Sequence, residues 1–221
     1  MYQYQYPHPA VTTDVVIFTL RDQQLKLLLI KRGSEPCKGQ WALPGGFIEI
    51  DEDLEAGARR ELVEETGVTA AYLEQLYTFG KPDRDPRERV ITVAYFALIA
   101  SDKLQLRAAS DADAVGWFAM DELPALAFDH VEILQMARQR LTAKLDYSTI
   151  GFQFLPEEFT LSELQQVYES ILEENIDKRN FRKWALALDQ IEETDKKRRQ
   201  GPHRPARLYR VKDPGKVEII R

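Results

Sequence analysis

At 221 residues the chain can hold one domain with a real core and a small second one. Its composition, 44% hydrophobic and 30% charged with a net charge of −6, is that of a soluble globular protein, and no apolar run reaches the roughly 20 residues of a membrane span. The opening MYQYQYPHPAVTTD lacks the basic and apolar regions of a signal peptide, and a lone Cys37 rules out an internal disulfide framework, so a reducing cytoplasm is the expected location.

Residues 11–20 (VTTDVVIFTL) and 25–32 (LKLLLIKR) read as strands joined by the turn signal RDQQ. After the loop GSEPCKGQ, where Cys37 is an ordinary loop residue, WALPGGFIEI returns to extended structure with a Gly-Gly break. Residues 53–66 are expected to be helical, with Ala56, Leu62 and Val63 among the apolar positions and Gly67 placed as a C-cap. Strands follow over Tyr72 to Phe79 and Val90 to Ala100, joined by the charged loop KPDRDPRER, and a shorter one over 115–120. The stretch DELPALAFDH leads into a helix over 130–145, giving an α/β layered domain. A boundary is expected between 146 and 158, dividing the chain into 1–148 and 149–221.

The second part has a different pattern. Thr160 caps a helix to about 173 with an apolar stripe of Leu161, Leu164, Val167, Tyr168, Ile171 and Leu172. Asp177 caps another to about 189, with Phe181, Trp184, Ala185 and Leu188 inward, and two short strands around a basic Gly-Pro loop follow. Helix, helix, hairpin is the plan of a winged helix-turn-helix. Charge divides in the same way: residues 1–149 are net −7, and residues 178–212 hold 12 basic against 4 acidic residues, net +8. Two parts with different partners are implied.

The segment Gly46 to Val68, GFIEIDEDLEAGARRELVEETGV, carries the chemistry. Glu61, Glu64 and Glu65 stand at i, i+3 and i+4, so their carboxylates share one helix face. They repel unless a positive charge sits among them, and Arg60, four residues before Glu64, cannot neutralise all three. Hard oxygen ligands suit Mg²⁺ or Mn²⁺, which suit phosphate oxygens, and Gly45-Gly46 lets the backbone approach a metal or phosphate. A solvated acidic helix would explain Glu61 to Glu65 alone, but not the glycines and Glu52 at this spacing. The pattern G-x(5)-E-x(7)-R-E-U-x-E-E-x-G-U, with U bulky and aliphatic, is matched at Gly46, Glu52, Arg60, Glu61, Leu62, Glu64, Glu65, Gly67 and Val68. The segment therefore resembles the Nudix superfamily. That resemblance implies an α/β/α sandwich with a mixed sheet. It also implies metal held by the Gly45 carbonyl, Glu61, Glu64 and Glu65, with Glu52, Glu61, Glu64, Glu65 and Arg60 as the catalytic set and Gly46 and Phe47 against the substrate. Which carboxylate is the base varies within the superfamily and stays open.

Two further stretches narrow the reading. The loop GKPDRDPRER is similar to that of ADP-ribose-directed Nudix proteins, and Arg84, Asp85 and Arg87 would suit an anionic, hydroxyl-rich ligand. His130 reads as a helix-start residue, and Trp117 and Phe118 as core. With FTLSELQQVYESIL, DKRNFRKWAL and GPHRPARLYRV, nearly the whole chain resembles the Nudix-related regulators of NAD metabolism, in which an ADP-ribose-binding Nudix domain precedes a DNA-binding winged helix. The resemblance implies a homodimer and a recognition helix opened by Lys178, Arg179, Arg182 and Lys183. Lys196, Lys197, Arg198, Arg199, His203, Arg204 and Arg207 would line the wing and neutralise DNA phosphates. The intact box makes Mg²⁺-dependent hydrolysis of ADP-ribose to AMP and ribose 5-phosphate, or of a related nucleoside diphosphate derivative, the first expectation. ADP-ribose sensing by a DNA-binding regulator, with or without residual hydrolysis, is the alternative.

Overall fold

The computed structural model describes residues 5–67, 72–100, 112–199 and 205–220. Strand β1 (Ala10–Arg21) turns through Asp22 and Gln23, both at positive φ, into β2 (Gln24–Arg32). Two short strands follow, β3 (Trp41–Ala42) and β4 (Gly45–Phe47), then helix α1 (Leu54–Thr66). Strands β5 (Tyr72–Phe79), β6 (Val90–Ile99) and β7 (Ala112–Ala119) lead to α2 (His130–Tyr147). A 3-10 turn at Ile150–Phe154 precedes α3 (Leu161–Leu172), α4 (Lys178–Ala187), β8 (Ile191–Arg198) and β9 (Ala206–Val211).

The first seven strands form one mixed sheet in the order β3-β2-β1-β6-β5, with β4 added to β1 and β7 to β2. Strands β1 and β6 run parallel along ten paired residues, whereas the other pairings are antiparallel. Both central strands are buried on both faces, so alternate residues serve opposite layers. Val15, Ile17, Val93, Tyr95, Ala97 and Ile99 pack under α1. Val16, Phe18, Ala94, Phe96 and Leu98 pack under α2. This is an α/β/α sandwich.

Helix α1 starts where Asp53 accepts a hydrogen bond from Ala56 N at 2.9 Å, and it ends at Gly67, a left-handed cap at φ 73°. Its inward stripe is Leu54, Ala58 and Leu62, one residue per turn. Ala56 and Val63 instead face solvent. Val68 lies outside the described residues.

The second half continues the same core. Leu164, Val167, Tyr168, Phe181, Ala185 and Tyr209 cluster with Phe18, Leu27 and Ile133 of the sandwich. The expected boundary region is a buried segment, with Ser148, Thr149, Ile150, Phe152 and Phe154 nearly inaccessible. The C-terminal strand-like tail returns to it: Thr149 N donates to Glu218 O at 2.9 Å and Ile220 N to Tyr147 O at 2.7 Å. Helix α3 opens with a full capping box between Thr160 and Glu163. Helix α4 packs on it through Tyr168, Phe181 and Trp184, whose ring centroids lie 5.2 to 5.4 Å apart. The hairpin β8–β9 is joined to the start of α3 by paired backbone bonds between Phe159 and Tyr209. Among the described residues, no helix is long and apolar enough to cross a membrane.

Candidate functional site

The Gly-Gly break has a steric cause. β4 runs beside β1, and a Cβ on Gly45 would lie 2.2 Å from the Thr13 carbonyl oxygen. A Cβ on Gly46 would lie 2.3 Å from Glu61 Oε1. Glycine at both positions brings the acidic face of α1 against bare backbone.

Arg60 organises that face. It forks onto Glu52 (Nη2 to Oε1, 2.6 Å; Nε to Oε2, 3.1 Å). The same guanidinium reaches Glu61 Oε1 at 2.7 Å, Glu64 Oε2 at 3.1 Å and the Phe47 carbonyl at 3.1 Å. Glu52 also accepts from the Glu49 amide at 2.9 Å, and together with Arg60 this keeps its carboxyl below the usual carboxylate range. Glu61 differs, because burial raises its carboxyl against the pull of Arg60. A raised carboxyl crowded by Glu64 and Glu52 is a place where additional positive charge is welcome. Its hard oxygen donors fit Mg²⁺ or Mn²⁺. The side chain of Glu65 lies outside what the structure describes. Among the described residues, no three His, Cys, Asp or Glu side chains already converge as a cage.

A pocket of about 290 Å³ opens next to Glu61, lined by Thr12, Gly45, Gly46, Phe47, Arg84, Asp85 and Arg87 among others. All three charged residues expected from the 80–89 loop reach it, in different states. Arg87 stacks over the exposed Phe47 ring at 5.1 Å and pairs with Asp85 at 2.7 Å. Asp85 is buried and also accepts from the Arg87 amide, so it shapes the loop and is held below the usual carboxylate range by Arg87. Arg84 is not extended toward an incoming anion. Its side chain is 4% exposed and forks onto Asp129 (2.7 and 3.0 Å), with Asp14 at 3.3 Å.

Sequence reasoning did not single out Asp14 or Asp129, and read His130 only as a helix start. His130 does open α2, but it is also buried in this cluster: its Nδ1 accepts from the Leu43 amide at 2.9 Å and its Nε2 lies 3.6 Å from Asp14. Burial pushes the imidazole below its ordinary value of 6.5, against the attraction of Asp14. The available signal was Asp14 itself, a carboxylate in a stretch, residues 11–20, without other charges, immediately before the apolar run VVIF. Pocket residues Arg32, Ser34 and Phe128 were also missed, and Arg32 lies over the Phe128 ring at 4.9 Å.

The basic residues of the second half also fall into two states. On α4, Lys178, Arg179, Arg182 and Lys183 are exposed and, among the described residues, none is ion-paired, although Arg182 donates to Ser162 Oγ at 3.5 Å. On the hairpin, Lys196 pairs with Glu158, Arg198 with Glu163 and Arg207 with Glu193. Arg199 is exposed, and Arg204 and His203 lie outside the described residues.

The family model of the NUDIX domain matches residues 10–137, and that of the NrtR DNA-binding winged helix domain matches residues 151–211. The chain is 42% identical over 215 residues to the ADPR responsive transcriptional repressor NtrR of Acinetobacter baylyi, covering 94% of this chain and 85% of that protein. It is 41% identical over 130 residues to the ADP-ribose pyrophosphatase of Methanocaldococcus jannaschii, covering 59% of this chain and 73% of that one. The crystal structure of Shewanella oneidensis NrtR complexed with a 27mer DNA superposes with a TM-score of 0.82 at 42% identity, covering 91% of this chain and 93% of that one. The NUDIX domain of the same S. oneidensis protein, complexed with ADP ribose, aligns at 40% identity with a TM-score of 0.56 over 62% of this chain and 90% of that one.

Proposed function

The chain belongs to the Nudix family, in the branch that carries the NrtR DNA-binding winged helix, and on that premise we propose that it is an ADP-ribose-sensing repressor acting on double-stranded DNA in the cytoplasm. One observation carries the reading: a polar pocket of about 290 Å³ and a helix bearing four exposed cations are built onto a single continuous core. A change at the pocket therefore has a packed route to α4, because α2 begins at the pocket with His130 and lies on α3 through that core. This reading replaces hydrolysis as the leading expectation. The Acinetobacter relative, matched along 94% of the chain, is a repressor, whereas the pyrophosphatase is matched along 59% of it.

In this reading Arg87, Phe47 and the glycine backbone receive the ligand. Arg60 keeps Glu52, Glu61 and Glu64 in register. Glu61, Glu64 and Glu65 with the Gly45 carbonyl would hold Mg²⁺ or Mn²⁺, which when bound neutralises diphosphate charge. The test is fluorescence anisotropy of a 27-base-pair duplex of the 27mer DNA crystallised with S. oneidensis NrtR, with and without ADP-ribose and Mg²⁺. ADP-ribose is expected to weaken the complex by roughly 5- to 150-fold, and DNA to weaken ADP-ribose binding by the same factor. No salt-sensitive complex at low ionic strength would overturn the reading.

The complete box supports a second activity, cleavage of bound ADP-ribose to AMP and ribose 5-phosphate. Chromatography of ADP-ribose incubated with protein and Mg²⁺, against Glu64→Gln as control, decides it. Turnover no faster than the control would remove hydrolysis and leave sensing intact.

A further inference from the structure

The hairpin and α4 look alike in sequence, as two basic stretches, but their cations do different things. Among the described residues of β8 and β9, Lys196, Arg198, Arg207 and Arg210 each sit on a glutamate. Three of these pairs are exposed and weak, and phosphate could displace them. Arg198 is of another kind. Its Nη1 donates to Glu163 Oε1 at 2.8 Å and its Nη2 to the Glu158 carbonyl at 2.7 Å. Glu163 is not a spare surface acid: its other oxygen accepts from the Thr160 amide at 2.7 Å, and Thr160 Oγ1 accepts from the Glu163 amide at 3.1 Å. Arg198 therefore bonds to the box that starts α3, and these two contacts, one to a carboxylate and one to a carbonyl, commit two of its five guanidinium donors and hold its plane against the α3 start. Because α4 packs on α3 through Tyr168, Phe181 and Trp184, anything fixing β8 to α3 also fixes the hairpin relative to α4.

We propose that Arg198 is a positioning residue: it clamps the wing strand β8 to the first turn of α3 and so sets the wing against the recognition helix, rather than contacting phosphate itself. This rests on the DNA-binding reading only for its consequence, not for the clamp itself.

Two measurements test it on the full chain. In hydrogen exchange of the DNA-free protein, Arg198→Gln is expected to accelerate exchange at the Thr160 amide and along β8. Glu163→Gln, whose amide can keep the capping box, is expected to do so along β8. In anisotropy titrations of the 27-base-pair duplex across salt concentrations, both variants are expected to bind several-fold more weakly than the parent with an unchanged salt slope, and the double variant no more weakly than either single one. Arg182→Ala and Lys183→Ala, by contrast, should each lower the slope by about 0.9, the value of one lost phosphate contact.

A phosphate-binding Arg198 predicts the opposite. Its loss would lower the slope, and Glu163→Gln would tighten binding by releasing the guanidinium. Either result overturns the proposal, as does unchanged exchange in both variants. If the parent binds no duplex, the DNA-binding reading fails while the exchange measurement still decides the clamp.

Discussion

Two arginines of the Nudix half are each ringed by carboxylates, and the surroundings give them opposite tasks. Arg60 lies at the surface of the acidic face, with Glu52, Glu61 and Glu64 around a guanidinium that is a quarter exposed. Arg84 lies beneath the pocket, almost inaccessible, between Asp14 and Asp129. Around Arg60 the acids outnumber the cation and open toward a ligand. Around Arg84 the charges come from β1, the 80–89 loop and the residue before α2, and tie those three together. The contrast is that the carboxylates around Arg60 are open to solvent and so to a ligand, whereas those around Arg84 are closed off and tie separate elements together.

The sharpest way to break the contrast is to remove each guanidinium. Arg84→Ala leaves two buried carboxylates without a partner and is expected to cost about 3–5 kcal/mol in urea unfolding. A cost near zero would mean that the pair is solvated. Arg60→Ala is expected to cost only about 1 kcal/mol of stability, but to weaken Mg²⁺-dependent ADP-ribose binding by roughly 10- to 100-fold, as loss of a residue orienting metal ligands does. Equal stability losses in the two variants would erase the distinction.

A smaller effect sharpens the buried side. Burial lowers the folded-state value of His130, so the unfolded chain takes up this proton first as pH falls. The contribution is complete above about pH 6.5 and is lost as pH drops below it toward the folded value. Protonation also removes the Nδ1 acceptor of the Leu43 amide, a bond worth about 1 kcal/mol, or about 2–4 °C in Tm for a chain of this size. His130→Gln, which offers a carbonyl acceptor, should flatten the Tm profile between pH 7 and 5. A variant profile that tracks the parent would remove His130 from the cause.

Local features were legible in the sequence wherever the physics is local. Gly67, Thr160 and Asp177 mark helix ends because a cap bonds to an amide or carbonyl a few residues away. Glu61 and Glu64 share a face because 3.6 residues make a turn. The box needed no neighbours to be recognised as an acidic face beside bare backbone.

Other features depended on distances that no window contains. Arg84 looks like a ligand-facing arginine until Asp14, 70 residues earlier, and Asp129, 45 residues later, close on it. Ala56 and Val63 are apolar yet exposed, because which stripe of α1 faces inward is decided by the sheet beneath it. The segment around Ser148, between the two regions matched by the family models, is held in place by the returning C-terminal tail and the shared core, which lie far from it along the chain.

The amino-acid sequence by itself determined the strands and helices, their caps, the spacing of the glutamates and the division into an acidic and a basic part, since each follows from contacts within a turn or an alternation along a strand. Only the tertiary structure decided which charges remain available. An arginine's role depends on whether a carboxylate or only solvent reaches it, and that partner can lie anywhere along the chain.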